Sequence, residues 1–337
     1  MKQKKTLIIA EAGVNHNNQL PIALELCDAA KEAGADVVKF QTWRTESIIT
    51  HDVAQADYQA MNTGVTESQF DMLKRLEMSY DDFRVIKRHC DEIGITFAST
   101  ADEIESLDFL IGLGIPFVKV SSGDMGNVSY LRDIGRRHLP VILSTGMSAL
   151  GDIERSLAAL REGGAEDITL LHCTTNYPCP YEDVNLRAMQ TLRAAFQLPV
   201  GYSDHTVGTE VAVAAVAMGA TVIEKHFTLD RAMEGPDQAA STEPAEFRRM
   251  VDEIRHIETA LGTGIKAATP AEREITRVVT KRLVAARPIR KGEILGEADI
   301  AVKRSMHGVL ARDYDRLVGT VAMRDYQADE GFGMILQ

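Results

Sequence analysis

The sequence predicts an α/β protein, with a (β/α)8 TIM barrel followed by a small, mainly β domain. Short apolar runs typical of strands alternate with amphipathic segments typical of helices, and eight such alternations fill about 260 residues. Past Ala260 the alternation gives way to short strands and turns. We therefore expect a barrel domain over residues 1–262, a linker over 263–280 and a small domain over 281–337. A doubly wound open sheet fits the spacing less well, and no G-x-G-x-x-G motif follows the first strand.

The predicted strands are short apolar runs that end in polar residues. They lie at Thr6–Ala12, Asp36–Gln41, Thr96–Thr100, Phe117–Ser121, Val141–Thr145, Ile168–Cys173, Leu198–Tyr202 and Thr221–His226. The segment Leu20–Ala33 repeats apolar side chains at helical spacing and is followed by the stop signal Gly34. Further helices are predicted at Glu77–Ile93, Asp102–Leu110, Leu150–Leu160 and Leu186–Phe196. The polar connection from Thr42 to Glu67 has no clear periodicity and is predicted to be a functional lid.

The composition restricts the class of partner. The 337 residues are 45% hydrophobic and 26% charged, which is typical of a soluble globular chain with one large and one small domain. The net charge of −12 argues against a nucleic-acid or anionic membrane partner, and no apolar run approaches the ~20 residues that span a bilayer. The first apolar run is too short for a signal peptide, and the four cysteines have no C-x-x-C spacing. These features predict a cytoplasmic protein.

The candidate functional residues are those at the carboxyl ends of the predicted strands, because active sites of TIM barrels lie at that face. In chain order these ends carry Glu11, Lys39, Thr100, Lys119, Ser122, Asp124, Ser144, Thr175, Tyr177, Asp204, His205, Glu224 and His226.

Two histidines follow the last two strands. His205 stands beside Asp204, and His226 lies two residues after Glu224. Such a pair can bind one divalent metal ion in an open site. Two buried, hydrogen-bonded histidines are the alternative, and the pair alone does not decide between them.

Two lysines, Lys39 and Lys119, end the second and fourth strands. Either could form a Schiff base if burial depressed its pKa, or both could hold a phosphate, or each could pair with a barrel carboxylate. The small donors at Ser99-Thr100, Ser121–Gly123 and Ser144–Gly146 favour the phosphate. Together with the histidines, they predict a metal-assisted reaction on a phosphorylated substrate.

Several segments carry a family resemblance across the barrel. They are Ala10–Asn17, Val38–Thr42, Asn62–Gly64, Ser144–Met147, His172–Thr174 with Tyr177-Pro178, Gly201–His205, and Ile223–Leu229 with Gly235–Asp237. In this order they resemble the sialic acid synthase family, which includes N-acetylneuraminate, legionaminate and pseudaminate synthases. Ile289–Gly292 and Lys303-Arg304 resemble that family's antifreeze-like domain, a β-clip fold also called SAF.

The resemblance implies a metal-dependent transferase that joins phosphoenolpyruvate and water to an N-acetylated hexose aldehyde, with C–O bond cleavage. The products are a nonulosonic acid and phosphate, and the sugar is N-acetylmannosamine or 2,4-diacetamido-2,4,6-trideoxymannose. Mn²⁺, or another divalent cation such as Mg²⁺ or Co²⁺, is expected at His205 and His226. The expected catalytic carboxylates are Glu11, Glu224 and Asp124.

The resemblance also implies two sets of substrate contacts. Phosphoenolpyruvate is expected at Lys39, Thr100, Lys119, Ser122 and Ser144. The expected contacts near the sugar are Asn62, Tyr177 and Asp237, and Thr175 is a further expected substrate-binding residue. A domain-swapped homodimer is expected, in which Arg304 reaches the N-acyl group in the partner's site.

The chain departs from the family pattern at four places. It has Asp124 where Ser-Gly-Glu is common, Ala101 in place of proline, Gln238 after Gly-Pro-Asp, and Ser305–His307 after Arg304. These positions bear on the sugar contacts, and pseudaminate synthase is the poorest match because Gly-Pro-Asp is kept at Asp237. The alternatives are a related 3-deoxy-ulosonate-phosphate synthase that uses phosphoenolpyruvate, and a non-catalytic carbohydrate- or ice-binding protein.

Overall fold

The structure, a computed structural model, describes residues 5–55 and 67–333. The chain divides into two compact units, Met1–Gly262 and Thr263–Gln337. Asn62, which the family resemblance places near the sugar, lies outside the described residues. Among the helices that are described, none is long and apolar enough to cross a membrane.

The first unit is a closed barrel of eight parallel strands. They are β1 Leu7–Gly13, β2 Val37–Thr42, β3 Thr96–Ala101, β4 Val118–Val120, β5 Val141–Ser144, β6 Ile168–His172, β7 Val200–Asp204 and β8 Val222–His226. Strand β1 pairs with both β2 and β8, which closes the ring. The predicted (β/α)8 barrel is confirmed, and the open sheet is excluded.

Helices and short connections surround the strands. The described helices of this unit are α1 Leu20–Glu32, α2 Thr45–Ile48, α3 Gln69–Leu76, α4 Tyr80–Ile93, α5 Ile104–Gly112, α6 Val128–Gly135, α7 Leu150–Gly163, α8 Tyr181–Val184, α9 Ala188–Phe196, α10 Glu210–Ala217 and α11 Pro244–Ala260. Helix α4 illustrates how the local sequence sets the start, the buried face and the end of a helix. The Ser79 side chain caps its first turn by accepting from Asp82 N, Phe83 and Ile86 are buried against the barrel, and Gly94 ends it at φ 72°.

Several predicted boundaries differ from the observed ones by a few residues. Strand β7 runs over Val200–Asp204 rather than Leu198–Tyr202, because Asp204 pairs with Lys225 in β8 although its side chain is polar. The predicted helical region Glu77–Ile93 begins only at Tyr80 after the cap Ser79. The connection after β2 contains the short helix α2, and Ala54 bridges Ser68 in antiparallel fashion.

The barrel interior is layered along the strands. Because side chains alternate across a strand, residues two apart point to the same side. An apolar layer fills the amino-terminal part, formed by Ile9, Val37, Ala98, Phe117, Ile142, Leu171 and Val222. Two residues further along, the same faces carry Glu11, Lys39, Thr100, Lys119, Ser144 and Glu224. The charged layer at the carboxyl ends of the strands therefore packs directly on this apolar layer.

The second unit contains helix α12 Pro270–Val279 and an antiparallel pair of strands, β9 Lys281–Ala285 and β10 Ile300–Arg304. A short helix, α13, covers Tyr314–Leu317. Its small core includes Leu283, Ala285, Ile289, Leu295, Ile300, Tyr326 and Phe332. Arg304 is the last residue of β10, and it is exposed in this unit.

Candidate active site

The charged layer lines a cavity of about 550 Å³ at the carboxyl ends of the strands. The predicted site residues that line it are Glu11, Lys39, Thr100, Lys119, Ser122, Asp124, Ser144, Thr175, Tyr177, His205, Glu224 and His226. These residues come from strands and loops spread over more than 200 sequence positions, so the closed barrel is what brings them together.

Lys39 lies between two carboxylates. Its Nζ is 2.6 Å from Glu11 Oε2 and 3.7 Å from Glu224 Oε2, and it donates to Thr100 Oγ1 at 3.0 Å. The register of β1 on β2 sets Glu11 opposite Lys39, which explains the short contact. Gln41 Nε2 donates to the other Glu11 oxygen at 3.0 Å. Glu11 is therefore held from two sides.

Lys119 lies on the opposite side of Glu224. Its Nζ donates to Ser144 Oγ at 2.7 Å and stands 3.5 Å from Glu224 Oε1. Ser203 Oγ donates to the same Glu224 oxygen at 3.0 Å. A carboxylate between two lysines, each only 3–4% exposed in its side chain, forms the centre of the site. Pairing of the lysines with barrel carboxylates, one of the three interpretations of the sequence, is thus present here.

The two carboxylates differ in their electrostatic surroundings. Burial raises the pKa of Glu11; Lys39 opposes this shift and Glu224 reinforces it. Burial alone would also raise the pKa of Glu224, but Lys119 and Lys39 together lower it to about 2. Glu224 is therefore ionised, while Glu11 is the carboxyl of the pair that more readily carries a proton.

Small donors crowd the β4–β6 side of the cavity. Gly146 N donates to Ser122 Oγ at 3.0 Å, and Cys173 Sγ lies 3.3 Å from the same hydroxyl. A Cβ at Gly146 would overlap Thr175 Oγ1 and come within 2.8 Å of Ser122 Oγ. Any larger residue at this position would therefore have to displace these hydroxyls.

The two histidines converge on the other side. Their ring centroids are 5.5 Å apart, and the Tyr177 ring is 4.2 Å from that of His205. His205 Nδ1 donates to Thr174 O at 2.7 Å, which turns Nε2 toward a ligand. Burial lowers the pKa of both rings, that of His226 to about 3, so both are neutral imidazoles.

This donor set fits a divalent metal ion. Neutral imidazoles are the form that binds metals, and His226 Nδ1 is buried with no hydrogen-bond partner among the described residues. In the part of the chain that the structure describes, no group of three or more His, Cys, Asp or Glu side chains has metal-binding geometry. The histidine pair would thus leave several coordination positions open to substrate and water.

Asp204, which flanks His205 in sequence, does not belong to the cavity. It pairs with Lys225 at 2.7 Å, and it does not line the cavity that Ser203 and His205 line. Alternation along β7 explains this, because the residue between two inward-facing side chains faces outward.

Asp124 lines the main cavity, whereas Asp237 lines a smaller cavity that adjoins it at His226. Asp124 ends a short turn, Ser122–Asp124, and accepts from Ser121 Oγ at 3.1 Å; burial raises its pKa. Asp237 Oδ2 lies 3.9 Å from His226 Nδ1, and burial raises its pKa to about 7.

The departure at Gln238 has a structural role. The side chain is fully buried, accepts a hydrogen bond from Thr228 Oγ1, and donates to Asn15 O at 3.0 Å. It therefore ties the loop after β8 to the loop after β1.

Sequence reasoning missed several cavity residues, among them Asp102 and Ser203. Asp102 lies two residues after Thr100, so it continues the inward face of β3 beyond the end of the strand. Burial and the nearby Asp124 raise its pKa to about 8. The period-two pattern of inward residues could have identified both.

Comparison with known proteins agrees with this geometry. The NeuB family model matches residues 26–266, and the SAF domain model matches residues 281–332. The N,N'-diacetyllegionaminic acid synthase of Campylobacter jejuni is 46% identical over 97% of this chain and 98% of its own length. That of Legionella pneumophila is 43% identical over 93% of this chain and 89% of its own length.

A solved structure is also similar. It is the N-acetylneuraminic acid synthetase from Leptospira borgpetersenii in complex with citrate, with a TM-score of 0.72 and 33% identity. The match covers 81% of this chain and 90% of that one. The resemblance inferred from the sequence motifs is confirmed: the chain belongs to the NeuB family and carries a SAF domain in its carboxyl-terminal part.

Proposed function

We propose that the protein condenses phosphoenolpyruvate with the aldehyde of an N-acylated hexose, releasing phosphate and forming a nonulosonic acid. The observation that carries this proposal is the arrangement of Lys39, Glu224 and Lys119 beside a histidine pair in one cavity. The names of the Campylobacter, Legionella and Leptospira relatives support the same class of reaction.

The phosphate and carboxylate of phosphoenolpyruvate would bind on the β2–β5 side. Lys39 and Lys119 supply two positive charges there, and Thr100, Ser122 and Ser144 supply hydroxyls. Without the substrate, the lysines interact with Glu11, Glu224 and these hydroxyls. A bound trianion would compete for the same ammonium groups, so the lysines are already positioned for it.

The chemical step joins two carbons. The methylene carbon of phosphoenolpyruvate attacks the aldehyde carbon, and positive charge develops at the carbon that bears the phosphate oxygen. Water adds to that carbon with loss of one proton. The C–O bond to phosphate then breaks, and the remaining hydroxyl proton passes to the departing phosphate, which leaves the keto acid. The ionised Glu224 between the two lysines is placed to stabilise the cationic carbon.

Proton transfer falls to Glu11 in this proposal. Condensation converts the aldehyde oxygen to an alkoxide, which needs a proton, and the added water must lose one. Burial raises the pKa of Glu11, so its carboxyl can supply the first proton and recover the second. The net proton count at Glu11 is then unchanged over one turnover.

We propose Mn²⁺, or another divalent cation such as Mg²⁺ or Co²⁺, as the metal held by His205 and His226. A cation bound there would polarise the aldehyde oxygen as a Lewis acid. This ligand pair is supported by the neutral rings and by His226 Nδ1, which has no hydrogen-bond partner among the described residues.

An unphosphorylated acceptor is favoured over a sugar phosphate. Beyond the histidines, a smaller cavity adjoins the main one at His226, and its described lining includes Tyr177 and Asp237 but no Lys or Arg. A phosphate at that end would meet an acidic group without a countercharge. This disfavours the phosphorylated aldose of the related octulosonate-phosphate synthases.

We also propose a cytoplasmic homodimer in which the partner's Arg304 contacts the N-acyl group. The exposed position of Arg304 at the end of β10 leaves its guanidinium available for such a contact. The four free cysteines and the metabolic origin of phosphoenolpyruvate support the cytoplasm.

A labelled substrate tests the reaction. Phosphoenolpyruvate with ¹⁸O in the bridging position is incubated with Mn²⁺ and either N-acetylmannosamine or 2,4-diacetamido-2,4,6-trideoxymannose. We expect sugar-dependent phosphate release with the ¹⁸O retained in phosphate, because the C–O bond breaks. No release with either sugar, or unlabelled phosphate from P–O cleavage, contradicts the proposal.

A further inference from the structure

Asp102 lines the main cavity, and no step of the proposed reaction uses it. It lies one residue past the end of β3 and two after Thr100, so its side chain continues the inward face of that strand. Its backbone N–H donates to Thr42 O at 3.3 Å, which ties it to the end of β2. The carboxyl itself makes no hydrogen bond and no ion pair with residues 5–55 or 67–333. It is therefore available to a ligand in the cavity.

The charged groups of the cavity are unbalanced for an anionic substrate. Its described lining contains four carboxyl groups, those of Glu11, Asp102, Asp124 and Glu224, but only two ammonium groups, those of Lys39 and Lys119. The two histidines are neutral, and a cation held by them would lie on the other side of the cavity. If all four carboxyls were ionised, the phosphoenolpyruvate trianion would enter a site that is already negative, which is unfavourable.

The surroundings of Asp102 favour its neutral form. Burial and the neighbouring Asp124 raise its pKa from 3.8 to about 8, and Lys39 opposes this shift only in part. The charged and titratable groups around it are Glu11 of β1, Lys39 of β2, Glu103 beside it in the chain, Asp124 after β4 and Tyr130 of α6. At pH 7 the Asp102 carboxyl therefore carries a proton, and it can donate a hydrogen bond.

This donor lies where the substrate is expected. Thr100 and Lys39 are among the groups proposed to hold phosphoenolpyruvate, and Asp102 follows Thr100 on the same face of β3 and interacts with the charge of Lys39. An oxyanion beside Lys39 is thus beside Asp102 as well. Its negative charge favours the protonated carboxyl further, so substrate and proton promote each other's binding.

We propose that Asp102 is a substrate-binding residue that acts in its protonated form, so that phosphoenolpyruvate binds together with one proton. The carboxyl O–H donates to an oxyanion of the substrate, whereas the ionised carboxylate would repel the same oxygen. The proposal rests on the proposed condensation, because it takes phosphoenolpyruvate as the ligand. Affinity is full well below pH 8 and falls as the pH rises through that value, by up to about tenfold per pH unit.

Calorimetry of phosphoenolpyruvate binding at pH 7 and pH 9, with Mg²⁺ present and no sugar, tests the proton linkage. Asp102→Asn keeps a hydrogen-bond donor but cannot ionise. We expect the rise in Kd between the two pH values to be larger by about fivefold or more in the unmodified protein than in Asp102→Asn. Burial lowers the pKa of Lys119, so this ammonium group also loses charge at high pH, but it does so in both proteins. An equal rise in both proteins overturns the inference.

Asp102→Ala separates donation from the mere removal of a charge. It removes the carboxyl and supplies no donor, so we expect it to bind phosphoenolpyruvate more weakly than Asp102→Asn at pH 7, by about threefold or more. Thermal unfolding of both variants checks that the fold persists. Equal affinity of the two folded variants overturns the inference. Loss of binding in Asp102→Asn at both pH values also overturns it, because the ionised carboxylate is then required, for example as a cation ligand.

Phosphate release by the unmodified protein, measured with the two acceptor sugars, distinguishes this inference from the reaction on which it rests. Sugar-dependent release together with the same pH dependence of Kd in the unmodified protein and Asp102→Asn overturns the role of Asp102 and leaves the condensation intact. Neither binding of phosphoenolpyruvate nor phosphate release in the unmodified protein overturns both.

Discussion

Lys225 Nζ lies 2.7 Å from Asp204 Oδ2. The two partners of this ion pair directly precede the two histidines of the active site, His226 and His205, in the chain. The two side chains of the pair are 2% and 0% exposed. Lys225 also donates to Thr206 O, and Asp204 Oδ1 accepts from Thr206 N and Oγ1. The pair therefore fastens the loop after β7 to β8, at the place where His205 and His226 must converge.

Breaking this pair will destabilise the fold. Asp204→Ala leaves a buried ammonium without a countercharge, which costs about 3–5 kcal/mol in the free energy of unfolding. Urea denaturation followed by circular dichroism measures this loss. The double variant Asp204→Ala with Lys225→Met removes both charges and is expected to be more stable than Asp204→Ala alone. A single variant within about 1 kcal/mol of the unmodified protein would contradict the prediction.

Removing either histidine of the pair will abolish metal binding while the fold persists. His205→Ala or His226→Ala deletes one of the two proposed protein ligands, so Mn²⁺ binding by calorimetry and phosphate release are both expected to disappear. His172→Gln is the matched control, since His172 lies at the same end of the barrel but its ring bonds to Val184 O. Full activity of a metal-free double variant at His205 and His226 would exclude the metal site.

Removing the Ser144 hydroxyl will weaken phosphoenolpyruvate binding. Ser144→Ala deletes the partner of Lys119 and one proposed phosphate donor, so the KM for phosphoenolpyruvate should rise by about tenfold or more. The KM for the sugar should change little. Ser148→Ala is the control, because that hydroxyl bonds to Gly146 O and does not line the main cavity. A larger effect on the sugar than on phosphoenolpyruvate would contradict the placement.

Arg304→Ala is expected to raise the KM for the sugar and to leave that for phosphoenolpyruvate unchanged. Lys303→Ala, one residue earlier on β10, is the control. If Arg304 acts in the partner's site, a heterodimer of one Arg304→Ala chain and one His226→Ala chain contains one intact site. Co-expression should then restore activity at low sugar concentration. Failure to restore it, with heterodimers verified by mass spectrometry, argues against a contact between subunits.

Asp102 should make stability fall as the pH rises. Burial and Asp124 raise its pKa from 3.8 to about 8, so the folded protein binds a proton that the unfolded chain has released in this interval. Its contribution is fully present below pH 3.8 and is lost as the pH approaches 8. Asp102→Asn removes this dependence. We expect its Tm to exceed that of the unmodified protein by a few degrees more at pH 8 than at pH 5. Parallel Tm profiles would contradict the prediction.

Much of the site could be predicted because the barrel has a simple geometry. Polar residues that end apolar runs in parallel strands must meet at one face, so Glu11, Lys39 and Lys119 could be grouped without coordinates. Position in the sequence was a poor guide for two aspartates. Asp204 stands next to His205 in the chain, yet alternation turns it away from the cavity, whereas Asp102 lies past a strand end and still lines the cavity.

The sequence by itself determined the barrel, the charged layer at its carboxyl end and the family, because these depend on local periodicity and on short motifs. Only the tertiary structure decided that Glu224 lies between Lys39 and Lys119, and that Met72 and Leu76 line the smaller cavity beside His226. The physical reason is that pKa and pocket shape depend on distances between side chains from different strands and loops. Those distances are set when the barrel closes.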